Sequence, residues 1–257
     1  MVVWEDCEIN VGFVSMMPRR RFLSFVGRGA LAILPLSGSA ETRSSSLATL
    51  STKRYGVVET KWIDPKQLPN SRLEILHFSQ AQDARWTGLM LMPAGARILP
   101  DANMRNDIYI IQGSIIEDGV PGPHLAETFL SRVNPEIQAG PQGATLFVYR
   151  DHYADAGEQI TVSKKDAPWR QGGVPGMRIA SLVESYHSLL FVSWAPGTKV
   201  PFHDHPWGEE IFVLSGELQD QRGRYPAGTW QRLHPGTGHS PHVSVDTLIL
   251  LRNGHLG

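Results

Sequence analysis

Cysteine is almost absent from this chain: its 257 residues include one, Cys7. That excludes an intramolecular disulfide framework and any zinc site built from thiolates alone. Charge of one sign is also lacking. Lys and Arg number 24 against 25 Asp and Glu, a formal net charge of -1, so there is no basic field to draw in a phosphate backbone, and nucleic acid is not expected as a partner. No apolar run approaches the roughly 20 residues that a membrane-spanning helix needs. The sequence has no GxxxxGK phosphate loop, no GxSxG elbow and no HExxH pair, which leaves nucleotide hydrolysis and serine or zincin chemistry without support. Helical periodicity is scarce as well, with Pro65–Leu68 and Asp166–Arg170 reading as single turns at best. If this protein holds a metal, histidine and carboxylate must do it.

Histidine is what the chain has, and it is unevenly placed. Six of the ten (His203, His205, His234, His239, His242 and His255) fall in the last 55 residues, where an even spread puts about two. His77, His124, His152 and His187 have no partners in sequence and receive no role.

The front end reads as an address. Arg19-Arg20 is followed by Phe22-Leu23, a short, moderately apolar stretch from Gly29 to Leu36, and Gly38-Ser39-Ala40. This order resembles a twin-arginine export signal with its cleavage site, which implies a periplasmic or secreted product that leaves the membrane after cleavage. Arg28 interrupts the apolar stretch and fifteen residues precede Met16, so a start at Met16 or Met17 fits the pattern better than Met1. Residues 41–55, rich in Ser and Thr, read as a linker.

Beyond the linker come short β-type runs (WTGLMLM, DIYIIQG, TLFVYR, SLLFVSW, EEIFVLSG, TLILLR) separated by Gly, Pro, Asn and Asp. That spacing predicts an all-β sandwich or barrel. Part of the pattern is repeated. At an offset of 103, Pro93 to Asp118 lies over Pro196 to Gln221 without gaps, matching Gly113 to Gly216. At an offset of 102, Thr145 to Arg150 lies over Thr247 to Arg252. Two consecutive β domains of about 100 residues follow, at 56–165 and 166–257.

The second copy carries His203-Asp204-His205-Pro206-Trp207-Gly208-Glu209. In a strand, side chains two apart share a face, so both imidazoles can converge on one ion. The Pro-Trp-Gly turn lets Glu209 return a carboxylate, and His239, in Pro235-Gly236-Thr237-Gly238-His239, supplies a further imidazole. Three imidazoles and a carboxylate suit Fe, Mn, Zn or Ni and leave coordination positions open. Glu210, next to Glu209, should face the other way and reads as a surface or supporting group. His234 and His242 could support a ligand, and Trp194, Trp207, Trp230 and Tyr225 could line the barrel mouth or fill its core.

Gly197, His203-x-His205, Glu209 and Gly216 carry the spacing of the first cupin motif, and Pro235 to His239 resembles the second. The flanking text (Trp169, Gly176, Leu182, then LLFVSWAPG and PGTGHSP) is similar to the cupin domain of ChrR-type anti-sigma factors. The resemblance covers 166–257, and reaches 56–165 only through the repeat. It implies two consecutive jelly-roll β-barrels, with His203, His205, Glu209 and His239 as metal ligands. In the first copy the matching positions are Pro100, Ala102 and Asn106, which implies one divalent transition metal (Fe, Mn or Zn) per chain and a degenerate N-terminal barrel.

Two functions remain open at this stage. One is a metal-dependent, dioxygenase-like oxidoreductase acting on a small oxygenated molecule such as a diketone or hydroxylated aromatic, with no catalytic group separate from the metal site. The other is a periplasmic metal- or small-ligand-binding module. A sigma-factor partner is disfavoured, because an exported protein would not meet one. A homo-oligomer is left open.

Overall fold

The computed structural model describes residues 61–62, 72–78, 86–98, 105–133, 135–151, 158–184 and 188–255. The expected signal and linker, Pro65–Leu68, Pro100, Ala102, His152 and His187 lie outside these residues. Every described element is a β-strand; of the stretch Asp166–Arg170, Asp166 closes a turn onto Ser163 and Arg170 opens a strand, and no helix forms.

The first half contributes β1 (Lys61–Trp62), β2 (Arg72–Phe78), β3 (Trp86–Met92), β4 (Arg97–Ile98), β5 (Arg105–Glu117), β6 (His124–Leu125), β7 (Thr128–Val133), β8 (Ile137–Asp151) and β9 (Ile160–Ser163). They pair in the order β1-β2-β3-β8-β5-β7-β9, with β4 on β8 and β6 on β5. The second half contributes β10 (Arg170–Gln171), β11 (Met177–Glu184), β12 (Ser188–Trp194), β13 (His203–His205), β14 (Glu209–Ser215), β15 (Glu217–Asp220), β16 (Gly223–Pro226), β17 (Trp230–Leu233), β18 (Thr237–His239), β19 (His242–Val243) and β20 (Thr247–Asn253). Its main sheet runs β10-β11-β12-β20-β14-β17, accompanied by β13-β18 and β16-β15-β19. All pairings are antiparallel.

At Gly216 the second half passes from β14 in its main sheet to β15 in another, and the glycine that the repeat aligns with it, Gly113, lies within β5 where the register with β8 shifts. Gly113 and Gly216 have φ of 78° and 76°, a conformation that only glycine adopts cheaply. A Cβ on Gly113 would stand 2.1 Å from the Gly143 carbonyl oxygen, and one on Gly216 would stand 2.2 Å from that of Asp246.

The pairing registers correct one part of the repeat. Asn106 pairs with Arg150 and Gln112 with Thr145, while Glu209 pairs with Asn253 and Ser215 with Leu248. The offset is therefore 103 on β8 and β20 as on β5 and β14, not 102. The one-residue slip in the sequence match aligned two Thr-Leu starts and two arginines, but it put them on opposite faces of the sheet. By register, Arg150 corresponds to Asn253, and Tyr149 to Arg252.

Alternation then sorts the central strands into inward and outward sets. Ile108, Ile110, Leu146 and Val148 fill the N-terminal barrel, and Ile211, Val213 and Ile249 fill the C-terminal one. The opposite faces meet in a third cluster shared by both halves, including Tyr109, Phe147, Tyr149, Phe191, Phe212 and Leu250. Phe147 stacks on Phe212 at 4.1 Å between ring centroids, and Tyr109 meets Phe191 edge-on at 5.6 Å. The Arg252 guanidinium lies over the Tyr149 ring at 4.9 Å. Phe147→Ala, at the fully buried centre of this contact, is expected to cost about 3–5 kcal/mol in chemical denaturation, as much as a deletion inside either barrel.

Glu210 occupies the same interface. It is fully buried, not at the surface, and it does not face the ligands. Its carboxylate accepts hydrogen bonds from Arg232 Nη1 at 2.9 Å and from Thr87 Oγ1, on the other barrel, at 3.1 Å, with His255 Nε2 at 3.3 Å.

Candidate metal centre

The site is built on a two-stranded ribbon. β13 and β18 pair so that His203 stands directly opposite His239 and His205 opposite Thr237. His203 and His205 are two apart on one strand and share its face, so three rings converge with centroid separations of 4.8, 4.9 and 5.1 Å. One ring nitrogen from each of the three lies within 4.8 Å of the other two. The turn after β13 closes with the Gly208 and Gly236 N–H groups donating to the His205 carbonyl at 3.0 and 2.9 Å. It starts β14 with the Glu209 carboxylate pointing inward, Oε2 lying 3.4 Å from His205 Nε2 and 3.6 Å from His239 Nε2. All four residues singled out from the sequence are thus brought together.

His205, Glu209 and His239 are buried, and His203 is half-buried on the open side. The His203 Nδ1–H donates to the Pro201 carbonyl at 2.9 Å, which turns its Nε2 toward the other rings. Glu209 Oε2 and His205 Nε2 are buried without a hydrogen-bond partner, an arrangement that costs free energy unless something binds them. Burial pushes the Glu209 carboxyl up to about 8. Burial, followed by the charge of His203, pulls His205 down to about 4. Burial, followed by the charges of His203 and His205, pulls His239 down to about 3. Without a cation, then, the site at neutral pH holds His205 and His239 as neutral imidazoles and Glu209 as a protonated carboxyl rather than as ion pairs. Neutral imidazole nitrogens and a carboxyl that can shed its proton are the donor set a divalent transition metal takes, so these residues fit one.

The other sequence candidates lie elsewhere. Trp207 is exposed, Trp194 belongs to the barrel core and Trp230 to the interface between barrels. His234 sits on an exposed turn, and His242 lies on β19 opposite Gln219. Tyr225 is buried with its hydroxyl donating to Asp220 Oδ1 at 2.7 Å. Asp220 is the residue that the sequence reading missed: its Oδ2 lies 3.6 Å from His239 Nδ1. The one signal pointing to it was the repeat, which places Asp220 over Glu117, acid over acid.

Glu117 shows how the first copy differs. It is bound by Arg132 through two contacts, Nε to Oε1 at 2.6 Å and Nη2 to Oε2 at 2.9 Å, with His124 Nε2 at 3.2 Å. Burial opposes its ionisation, but the hydrogen bonds and charge of Arg132, aided by His124, hold its carboxyl below the usual range. Arg132 pairs in register with Asn106, the counterpart of Glu209. Where the second barrel gathers imidazoles, the first therefore carries a guanidinium. Among the described residues, a cavity of about 20 Å³ lies between Asn106, Ile108, Val148 and Arg150, the size of one water.

Residues 157–256 match the family described as ChrR Cupin-like domain. No curated protein matches the chain in sequence. Among solved structures, a Nostoc punctiforme protein provisionally described as a dioxygenase superposes with a TM-score of 0.62 at 13% identity, over 75% of this chain and 76% of that one. A Cupin 2 conserved barrel domain protein from Leptotrichia buccalis gives 0.56 at 14% identity, over 76% and 97%. Bacillus subtilis oxalate decarboxylase, a protein with Mn(II) centres, gives 0.51 at 13% identity, over 79% of each. At these identities the likeness is one of fold. The chain is an all-β protein of cupin fold, and its residues 157–256 match the ChrR Cupin-like domain.

Proposed function

We propose that the C-terminal barrel holds one divalent transition metal, iron or manganese, on His203, His205, Glu209 and His239, and acts on a small oxygenated molecule such as a diketone or hydroxylated aromatic. The observation that carries this reading is the convergence of buried, unpartnered ligand atoms, Glu209 Oε2 and His205 Nε2, beside His239 Nε2. A metal bound there supplies Lewis acidity toward substrate oxygens and, if it is redox-active, the capacity to react with dioxygen. Four protein ligands leave room for two oxygens of a substrate on a six-coordinate ion. The half-buried His203 marks the side from which a substrate enters.

Metal analysis of protein purified from its native compartment is expected to give one ion per chain, because the first barrel presents Asn106 and an arginine-bound Glu117 instead of a ligand set. Two ions per chain would remove the assignment of a degenerate first barrel. Oxygen uptake with diketone and catechol-type substrates, abolished by His203→Ala, supports the oxygenase. Zinc alone with no uptake supports instead a module that binds metal or a small ligand. The Arg19-Arg20 pattern, which resembles a twin-arginine signal, supports a periplasmic or secreted location for either activity, and fractionation of tagged precursor tests it.

A further inference from the structure

We infer that Asp220 is a positioning residue of this centre, holding the His239 ring with its proton on Nδ1 so that Nε2 is delivered bare to the ion. The inference rests on the metal reading above and names a group outside its ligand set. Asp220 ends β15, and its carboxylate is 1% exposed. The two oxygens have different work. Oδ1 accepts from the Arg222 N–H at 2.7 Å, the Gly223 N–H at 3.2 Å and the Tyr225 hydroxyl at 2.7 Å. Oδ2 is buried without a hydrogen-bond partner and faces His239 Nδ1, which is equally buried and equally unpartnered, at 3.6 Å. Arg222 Nη1, at 3.5 Å, is the other charged group beside Oδ2.

A ring nitrogen cannot hold a proton and a metal at once, so a ligating His239 must carry its single proton on the nitrogen away from the ion. That nitrogen points at Asp220, while Nε2 on the far side of the ring points at Glu209. A closing of roughly 0.6 Å brings the Asp220 pair to ordinary N–H···O length. His203 already has the equivalent support from the Pro201 carbonyl. The first barrel gives an independent parallel: Glu117, 103 residues earlier, is also a buried acid set against a nitrogen donor, there the Arg132 guanidinium.

Asp220→Asn separates the two oxygens, because it retains the Oδ1 acceptor for the turn and Tyr225 and replaces Oδ2 with a group that cannot accept. Cobalt(II) titration of the full chain, followed by visible absorption, is expected to show affinity reduced roughly 10–100-fold with displaced d–d bands, and a metal-free melting temperature close to the parent's. Wild-type affinity and an unchanged cobalt spectrum in the variant overturn the inference. A parent that takes up no cobalt overturns the metal reading itself, and the inference with it. If the variant does not fold, ring ¹⁵N NMR of the zinc-loaded parent decides: a proton on His239 Nδ1 supports the assignment, and zinc on Nδ1 overturns it.

Discussion

Arg132→Leu is expected to destabilise the protein by about 3–5 kcal/mol, the cost of removing one partner from a buried ion pair. In a protein of this size that corresponds to a melting temperature lower by roughly 6–20 °C. Both charged groups are close to sealed, with side-chain exposures of 6% for Arg132 and 10% for Glu117. Arg132 also donates to the Ile160 carbonyl and to Thr161 Oγ1, so its loss leaves a carboxylate and two further acceptors stranded. The double variant Glu117→Leu with Arg132→Leu is expected to regain only the part of the loss that the unpaired carboxylate causes, because the Ile160 carbonyl, Thr161 Oγ1 and His124 still lack their partners. Urea denaturation of the two singles and the double gives the coupling energy directly. Additive losses would show that Glu117 and Arg132 act separately.

The second large effect is a reversal of pH dependence on metal loading. In the metal-free protein, Glu209 titrates near 8 when folded against 4.5 when unfolded. The folded state therefore holds an extra proton across that window, and stability falls as pH rises through it. His205 and His239 titrate near 4 and 3 when folded against 6.5 when unfolded. For them the unfolded state holds the extra protons, and stability is lost as pH falls below 6.5. Two histidines outweigh one carboxyl on the acid side, so the contribution of the site peaks near pH 6.5. From there to pH 8 it declines by on the order of 2 kcal/mol, one proton over about 1.5 pH units. A bound divalent ion ionises Glu209 and removes the alkaline decline. Its apparent affinity should then rise by up to roughly tenfold per pH unit across the same interval, as binding releases the Glu209 proton. Denaturation at pH 6.5 and 8, with and without chelator, checks both statements. An alkaline decline that persists in Glu209→Gln would assign it to another group.

Much of this centre was legible because strand alternation is a strong rule. His203 and His205 had to share a face, and Glu209 had to differ from Glu210. Alternation says which way Glu210 points but not what covers that side, and the answer lay in Thr87, 123 residues away, on a strand whose docking no local pattern encodes. The slipped repeat has a similar origin: Thr145-Leu146 and Thr247-Leu248 look alike, but their pairing partners, Gln112 and Ser215, decide the register. Asp220 was marked only by its repeat match to Glu117, because its strand belongs to a different sheet from β14 and nothing in its neighbours announces His239. Nothing in the sequence around Arg132 singles it out, because its contact with Glu117 depends on the pairing of β5 with β7.

The adjacency of Glu209 and Glu210 makes β14 a party wall, one carboxylate serving each side. Cutting the chain between its halves would leave Phe191, Phe212, Leu250 and Glu210 facing water, with Thr87 gone. A solitary C-terminal barrel with these residues would have to cover that face by pairing with another molecule. The N-terminal barrel is therefore a tethered companion that supplies its neighbour with a back, and the tether makes the companion's presence independent of protein concentration.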